Sequence, residues 1–245
     1  MKYKKVAALV ALTIGFACSA IANPTLEKLE KTLTKTMPGL NIDSIKTTPM
    51  QGIYEVVSGG DVAYVSADGV HMIQGTLYNV PERKNLSEAT LGGMRQKLMT
   101  SVDSSALLVY PAKGKALHTI TVFTDPSCGY CKQLHKEVDK LNEMGVTVKY
   151  ALYARSGNRN LTGRQLQEVA CSKDAKRELE RFFNSPSQAS DGADCKGAHA
   201  LDQIASIAPK VGLEGTPHIV TDSGLSFSGY RPAADLFKVL ETGVK

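Results

Sequence analysis

The chain has 245 residues, of which 42% are hydrophobic and 22% are charged. This length and composition predict a globular protein with one large or two modest domains, and the sequence contains no internal repeat or low-complexity tract. The formal net charge of +5 falls to +2 when the three lysines of the predicted leader described below are removed. A chain so close to neutral does not favour nucleic acid or an anionic membrane as its partner.

Residues 1–22 are predicted to form a secretory signal peptide. Three lysines near the start form a basic region, and the apolar stretch 6–17 is too short to span a bilayer. Ala20-Ile21-Ala22 matches the A-x-A pattern of a cleavage site, so we expect cleavage after Ala22 and export of the mature chain. A membrane anchor is the alternative, and it is disfavoured because no longer apolar segment follows.

Export changes the interpretation of the five cysteines. Cys18 belongs to the predicted leader, and four cysteines remain in the mature chain: Cys128, Cys131, Cys171 and Cys195. An even number in an exported protein suggests two pairs, and four cysteines allow three connectivities.

Residues 23–84 are predicted to form a small dimerisation domain. A helix that Thr25 could cap, with leucines at helical spacing, ends near Met37-Pro38-Gly39. Three short strands are predicted at 53–57, 62–66 and 71–78, separated by glycine-containing turns. So few residues form little core and leave an open sheet edge, which favours pairing with a second copy. A monomeric appendage packed on the rest of the chain is the alternative.

Residues 85–104 are predicted to form a linker helix with Ser87 as its N-cap. Its apolar face is predicted to contain Leu91, Met94, Leu98 and Val102. Gly92-Gly93 lies inside this helix, and each glycine costs about 1 kcal/mol relative to alanine. We therefore expect fraying or a hinge at these two glycines.

Residues 105–245 alternate between strand and helix patterns. Strands are predicted at 117–125 and 146–153, with a helix between them and helical stretches at 162–184 and 196–211. A hairpin around Asp222-Ser223-Gly224 and a last helix opened by Pro232 complete the chain. This order, βαβ, a helical insertion and a terminal ββα, predicts a thioredoxin fold within an α/β or α+β protein.

Cys128 and Cys131 lie three positions apart at the junction of the predicted strand and helix. A zinc site needs four ligands, and a structural disulfide closing so small a ring would add little stability. At a helix N-terminus, however, the Cys128 sulfur meets unpaired N–H groups, which favour the thiolate. Cys131, one turn further along, is more shielded and can resolve a mixed disulfide. We therefore predict a redox-active dithiol, without a metal or a cofactor.

Thr216-Pro217 precedes a predicted strand, where an X-Pro bond is a candidate for the cis form. In a thioredoxin fold this loop faces the active-site cysteines, so backbone groups of Thr216 are expected to pair with an extended substrate segment. Asp125, just before the dithiol, is either a proton acceptor for Cys131 or, more commonly for an acid in this position, a cap of the helix.

These motifs together resemble one known family. Thr124-Asp125 before Cys128-Gly129-Tyr130-Cys131, the Thr216-Pro217 pair, Gly229-Tyr230, and the segment "DGVHMIQGTLYNV" at 68–80 are similar to the bacterial DsbC/DsbG family of periplasmic thiol:disulfide interchange proteins. The likeness covers essentially the whole mature chain, and the C-G-Y-C motif favours the DsbC branch. Pro126, His218 and Gly92-Gly93 depart from the family pattern.

The resemblance implies a periplasmic homodimer with a cystatin-like dimerisation domain at 23–84, a linker helix at 85–104 and a thioredoxin-like domain at 105–245. It implies disulfide isomerase activity on misoxidised exported proteins, with the membrane reductase DsbD as electron donor. Cys128 and Cys131 would be catalytic, and four neighbours would support them: Gly129, Tyr130, Thr216 and Pro217. Cys171 and Cys195, in the helical insertion, are predicted to form a structural disulfide.

Two other functions remain open from the residues alone. A dithiol oxidase would use the same cysteines at a different redox potential, and a chaperone or assembly factor would not need the cysteines at all. His218 is predicted either to point toward Cys128 and lower its pKa or, by strand alternation, to turn away. His71, His118, His135 and His199 are interpreted as ordinary surface or hydrogen-bonded histidines.

Overall fold

The computed structural model describes residues 24–185, 189 and 195–243. The predicted signal peptide, its cleavage site and Cys18 lie outside the described residues. Among the described residues, no helix has the length and apolar character needed to cross a membrane.

The first part of the chain is a helix packed on an antiparallel sheet. Helix α1 (Pro24–Thr36) is followed by strands β1 (Ile42–Thr47), β2 (Ile53–Ser58), β3 (Asp61–Ser66) and β4 (Met72–Gln74), in the sheet order β1-β2-β3-β4. Leu29 and Leu33, four residues apart on α1, are buried against Val56 and Val65 of the sheet. The helix therefore follows the predicted leucine spacing, although it begins at Pro24 and not after a Thr25 cap.

The strands predicted at 53–57 and 62–66 are present as β2 and β3, but one strand of this region was not predicted and one prediction was wrong. Strand β1 was missed because its exposed positions alternate only weakly with half-buried ones, which is usual for an edge strand. The strand predicted at 71–78 is broken, because β4 runs antiparallel to β3 and Gln74 already pairs with Ala63, two residues from the start of β3, so little partner strand remains. Tyr78 belongs instead to a separate hairpin of β5 (Tyr78–Asn79) and β6 (Lys84–Asn85).

Helix α2 (Leu86–Ser101) occupies the predicted linker segment and continues through both glycines. Its N-cap is Asn85, whose side chain accepts a hydrogen bond from the Glu88 N–H at 2.9 Å. Ser87 is not the cap, because its hydroxyl lies 2.5 Å from the Tyr64 hydroxyl and accepts from the Leu77 N–H. The most buried positions within α2 are Ser87, Gly92 and Arg95, which the predicted apolar face did not include. Leu98 of that face does pack on the core of the second sheet with Val102, which follows the helix, whereas Leu91 and Met94 are only half-buried.

The second sheet has five strands: β7 (Leu107–Tyr110), β8 (His118–Thr124), β9 (Val146–Leu152), β10 (His218–Thr221) and β11 (Ser226–Ser228). Its order is β11-β10-β8-β9-β7, with β8 and β9 parallel and the other pairs antiparallel. Strand β7, a short edge strand after a 3-10 turn at Ser104–Ala106, was not predicted. The β8-helix-β9 unit and the terminal hairpin and helix confirm the thioredoxin fold.

Six helices accompany this sheet: α3 (Gly129–Lys136), α4 (Val138–Glu143), α5 (Leu161–Cys171), α6 (Ala175–Asn184), α7 (Lys196–Ile207) and α8 (Ala233–Thr242). The helical stretch predicted at 162–184 is two helices, because Asp174 caps the start of α6. A 3-10 turn (Pro209–Val211) follows α7. One core lies on the α3 face of the sheet and a second on the opposite face, under the end of α7.

The predicted pairing of Cys171 with Cys195 is present in the structure. The two sulfurs are 2.04 Å apart and join the end of α5 to the start of α7. The Cys195 sulfur also accepts a hydrogen bond from the Ala198 N–H at 3.3 Å. The disulfide thus closes the helical insertion on itself, away from the Cys128–Cys131 pair.

Candidate active site

The Cys-Gly-Tyr-Cys motif lies where β8 ends and α3 begins. Cys128 is the N-cap residue, with extended backbone dihedrals of φ −91° and ψ 117°, and Cys131 lies one turn into the helix. Both are reduced and buried, with exposed fractions of 4% for Cys128 and 1% for Cys131. No side chain caps this helix, so its first N–H groups remain available to the Cys128 sulfur.

The loop before β10 faces Cys128, as predicted. The Thr216-Pro217 bond is cis, and the Cys128 sulfur lies 3.2 Å from the Thr216 carbonyl oxygen, to which the thiol donates. The Thr216 hydroxyl is buried and has no hydrogen-bond partner among the described residues. It is therefore a spare donor beside a sulfur that can carry negative charge.

The two thiols titrate in opposite directions. Burial raises the pKa of both, and at Cys131 burial together with the neighbouring Cys128 raises it to about 12. At Cys128, donors from Thr216 and from the backbone of Cys131 and Tyr130 outweigh burial and lower the pKa below its ordinary value. The hydrogen bond from the Cys128 thiol to the Thr216 carbonyl oxygen stabilises the neutral thiol and cannot lower the pKa. The lowered pKa of Cys128 therefore depends on the backbone N–H groups and the Thr216 hydroxyl.

The Asp125 carboxylate hydrogen-bonds to the turn before Cys128 and to Arg155, as a residue that holds the start of the helix would. The carboxylate is fully buried and receives four donors, two from Ser127 and two from Arg155. The Ser127 N–H and hydroxyl lie 2.8 and 2.6 Å from Oδ1, while the Arg155 N–H and Nε lie 2.9 and 3.2 Å from Oδ2. The carboxylate thus fixes the turn before Cys128.

Sequence reasoning missed Arg155 and Ser127. Arg155 follows β9, and Asp125 follows β8, its parallel neighbour. Because the carboxyl ends of parallel strands meet at one edge of a sheet, this juxtaposition was available from the predicted topology. The guanidinium also lies 3.3 Å from the Ser127 hydroxyl, so it spans both residues of the turn.

Gly129 and Tyr130, between the cysteines, face open space. A Cβ atom added at Gly129 would meet no neighbouring atom within 4 Å, and the Tyr130 side chain is 62% exposed. The surface over the dithiol thus presents an aromatic ring and backbone rather than a closed pocket.

His218 turns away from the dithiol. The ring is buried and lies 2.8 Å from the Ser228 hydroxyl and 2.7 Å from the Ser226 hydroxyl. It contacts Phe123 of the core on the other face of the sheet, whereas Ile219 packs with the cysteines. The hypothesis that His218 lowers the pKa of Cys128 was wrong, because strand alternation points the ring to the opposite face.

The other histidines keep the roles expected of ordinary residues. His135 stacks on Phe183 with ring centroids 4.9 Å apart, and its Nδ1 lies 3.2 Å from the Tyr150 hydroxyl. His118 lies 2.6 Å from Glu241. Within the described residues, no three histidine, cysteine or acidic side chains gather as a metal site would require.

Two family profiles and several known proteins match this chain. The family profile described as "Disulfide bond isomerase protein N-terminal domain" matches residues 20–88, and the "Thioredoxin-like domain" profile matches residues 104–243. The thiol:disulfide interchange protein DsbC of Dickeya dadantii is 31% identical over 243 residues, covering 97% of this chain and 95% of the relative. This chain belongs to the DsbC family.

DsbC of Pasteurella multocida is similar to the same extent, with 30% identity over 231 residues, 94% of this chain and 96% of the relative. A linker-deletion variant of Proteus mirabilis ScsC matches with a TM-score of 0.50 and 18% identity, covering 63% of this chain and 84% of that chain, which supports the fold alone. The resemblance to the DsbC branch is confirmed, and the protein is an enzyme of thiol–disulfide exchange.

Proposed function

We propose that the protein isomerises and reduces wrong disulfides in exported proteins, with Cys128 as the nucleophile and Cys131 as the resolving thiol. The observation that carries this proposal is the contrast between the two thiols at one helix N-terminus. The pKa of Cys128 is lowered, so it supplies thiolate, while the pKa of Cys131 is about 12, so it remains a thiol until needed.

The exchange begins when the Cys128 thiolate attacks one sulfur of a client disulfide. A bond forms between Cys128 and that sulfur, and the second client sulfur leaves as a thiolate. A client thiolate then displaces Cys128 and completes isomerisation, or Cys131 loses its proton, attacks Cys128 and releases a reduced client. The first route returns Cys128 as a thiolate, and the second leaves a Cys128–Cys131 disulfide.

Client binding is proposed to use the surface over the dithiol. The exposed Tyr130 ring offers apolar contact, and Thr216 beside the Cys128 sulfur offers backbone groups to an extended segment. Gly129 leaves room for the client backbone, because no atom lies within 4 Å of a Cβ placed there. Such contacts do not depend on client sequence, as an isomerase of many clients requires.

The protein is further proposed to be a periplasmic homodimer, divided into a leader at 1–22, a dimerisation domain at 23–84, a linker helix at 85–104 and a thioredoxin-like domain at 105–245. The two profile matches at 20–88 and 104–243 support this division. An isomerase in an oxidising compartment must keep its dithiol reduced, so a membrane reductase of the DsbD type is proposed as its electron donor.

The test is to refold a scrambled multi-disulfide protein with equal amounts of wild type, Cys131→Ser and Cys128→Ser. We expect wild type to restore native pairing, Cys131→Ser to retain part of the reshuffling but accumulate mixed disulfides, and Cys128→Ser to be inactive. A wild type that oxidises reduced client without reshuffling would instead indicate a dithiol oxidase. Full rescue by Cys128→Ser would indicate a chaperone in which the cysteines are incidental.

A further inference from the structure

An ion pair between Asp125 and Arg155 lies directly beneath the turn that leads to Cys128. The Asp125 carboxylate is fully buried, while the Arg155 side chain is 45% exposed and reaches the turn from the end of β9. The Cys128 N–H donates to the Asp125 carbonyl oxygen at 3.0 Å, so the reactive cysteine is attached to the same turn. Neither residue is accounted for by the exchange steps above.

We propose that Arg155 is a positioning residue that neutralises the buried Asp125 carboxylate and thereby keeps Cys128 available as a thiolate. The proposal rests on the function proposed above, in which Cys128 is the nucleophile. In this proposal the Arg155 cation favours the Cys128 thiolate, and the Asp125 carboxylate by itself would disfavour it.

A buried charge without a counterion is costly. A carboxylate without a cation, placed three residues before Cys128 and shielded from water, would repel the negative charge of a thiolate. Arg155 removes this repulsion, because its Nε lies 3.2 Å from Oδ2 and its Nη2 lies 3.3 Å from the Ser127 hydroxyl. The guanidinium therefore offsets the negative charge of the carboxylate at the turn that leads to Cys128.

The attraction between the Arg155 cation and the cysteine sulfurs also favours the thiolate form. Burial lowers the pKa of Arg155, but Asp125, Cys128 and Cys131 together raise it above its ordinary value. An attraction between two groups is mutual, so a cation favoured by the cysteine thiolates also favours those thiolates.

The groups that face Cys128 come from four elements. The turn before α3 contributes Asp125 and Ser127, α3 contributes Cys131 and its first N–H groups, and the loop before β10 contributes Thr216. The end of β9 contributes Arg155, and Tyr150 of that strand, which is near Cys131, remains neutral because burial raises its pKa far above the ordinary value. Among the described residues, the ion pair at the turn that leads to Cys128 is the one between Asp125 and Arg155.

The pair can be tested without losing the turn. The Asp125 oxygens also accept from the Ser127 N–H, the Ser127 hydroxyl and the Arg155 N–H, and these three hydrogen bonds survive a change of the Arg155 side chain. A substitution such as Arg155→Met thus removes the charge and leaves most of the turn in place. Arg159, exposed four residues later, supplies a matched control for the loss of one positive charge.

The experiment titrates the thiolate absorbance of the reduced wild type and of five variants, and it measures alkylation of Cys128 at neutral pH. The variants are Arg155→Met, Arg155→Lys, Asp125→Asn, the double variant Arg155→Met/Asp125→Asn, and Arg159→Met. Arg155→Met is expected to raise the Cys128 pKa and slow alkylation about tenfold, as one pKa unit implies. Asp125→Asn leaves the Arg155 cation unpaired, so the pKa of Cys128 is expected to fall. The pKa of Cys128 in the double variant is expected to lie between those of the two single variants. Arg155→Lys should restore much of the wild-type value, and Arg159→Met should match wild type.

The outcomes separate electrostatics from structure. Loss of packing alone would move both single variants in the same direction, and that result overturns the proposal, as would a titration of Arg155→Met superimposable on wild type. Thiolate titration and alkylation need no client protein, so they report on Arg155 even if the refolding assay rejects isomerase activity. Conversely, a native-like refolding activity with no pKa change in Arg155→Met would leave the proposed function standing and reject the role of Arg155.

Discussion

At the N-terminus of α3, one motif places two sulfurs in different surroundings. Both thiols are buried, so burial alone would raise the pKa of each. Cys128, at the cap position, also faces N–H groups and Thr216, whereas Cys131 lies inside the first turn beside another sulfur. The position of each residue relative to the helix end, rather than its exposure, decides which thiol has the lowered pKa.

His135 gives a prediction of pH-dependent stability at the residue scale. Burial lowers its pKa below the ordinary 6.5, against the opposing effect of Glu180 and Asp139. The unfolded chain therefore binds a proton near pH 6.5 that the folded chain does not yet bind, so stability falls as the pH drops below 6.5. His135→Gln, which keeps a hydrogen-bonding side chain near Tyr150, should show a shallower loss.

The measurement is the free energy of unfolding in denaturant between pH 5 and 8. His71→Gln is the control, because His71 is exposed and should leave the slope unchanged. If the free energy of unfolding falls equally steeply with decreasing pH in wild type and His135→Gln, a group other than His135 causes the loss of stability at acidic pH.

At the scale of elements, the sequence predicted the helices and strands whose buried residues recur at a regular spacing or fill the whole strand. Buried leucines on α1 and the apolar runs of β8 and β9 were visible, because one face or the whole strand is buried. Edge strands β1 and β7 were missed, since exposed positions break their pattern. The cysteines and the cis proline were predicted from motifs, but Arg155 reaches the site only through tertiary contact, which local pattern does not encode.

Helix α2 shows how such tertiary contact overrides a local prediction. Gly92, expected to loosen the helix, is instead where its backbone packs against the turn between β10 and β11. Arg95 reinforces this contact, with Nη1 at 2.7 Å from Glu88 and 3.3 Å from the Gly224 carbonyl oxygen. Gln96 donates to the Asp222 carbonyl oxygen at 2.7 Å. The helix is thus attached to the second sheet along one face.

Three glycine substitutions test this contact. Gly93→Ala meets no atom within 4 Å and should stabilise the helix by about 1 kcal/mol. Gly92→Ala approaches the Ser223 carbonyl oxygen at an ordinary 3.6 Å and should also be tolerated. Gly224→Ala has φ +81° and would place its Cβ 2.1 Å from the Gly92 oxygen, so it should destabilise by about 2 kcal/mol.

Denaturant unfolding of the three variants gives these differences directly. If the glycine pair were a functional hinge, Gly93→Ala would lower refolding activity despite greater stability, and Gly224→Ala would behave as an ordinary turn substitution.

At the scale of the whole molecule, the exposed edge of the first sheet is the surface that a second copy would cover. Strand β4 pairs with β3 on one side and is open on the other, and all three of its residues are exposed. Ile73 is 59% exposed, and more exposed apolar side chains lie nearby in sequence: Val70, Met72, Tyr78 and Val80. An open, apolar strand edge is unfavourable in a monomer, so this edge supports the proposed homodimer.

If the proposed homodimer forms through this edge, Ile73→Lys is expected to convert it to a monomer, because the lysine places a charge on the strand that would pair with the second copy. Alkylation of Cys128 should be unchanged, since the dithiol belongs to the second sheet and not to the first. Refolding of scrambled clients should fall, because a client would no longer meet two active sites on one molecule. Sedimentation of the full chain measures the first effect. Val109→Lys is the matched control, because Val109 is exposed on β7, the edge strand of the second sheet, and should leave the mass unchanged. A dimer that persists in Ile73→Lys but dissociates in Val109→Lys would move the interface to β7.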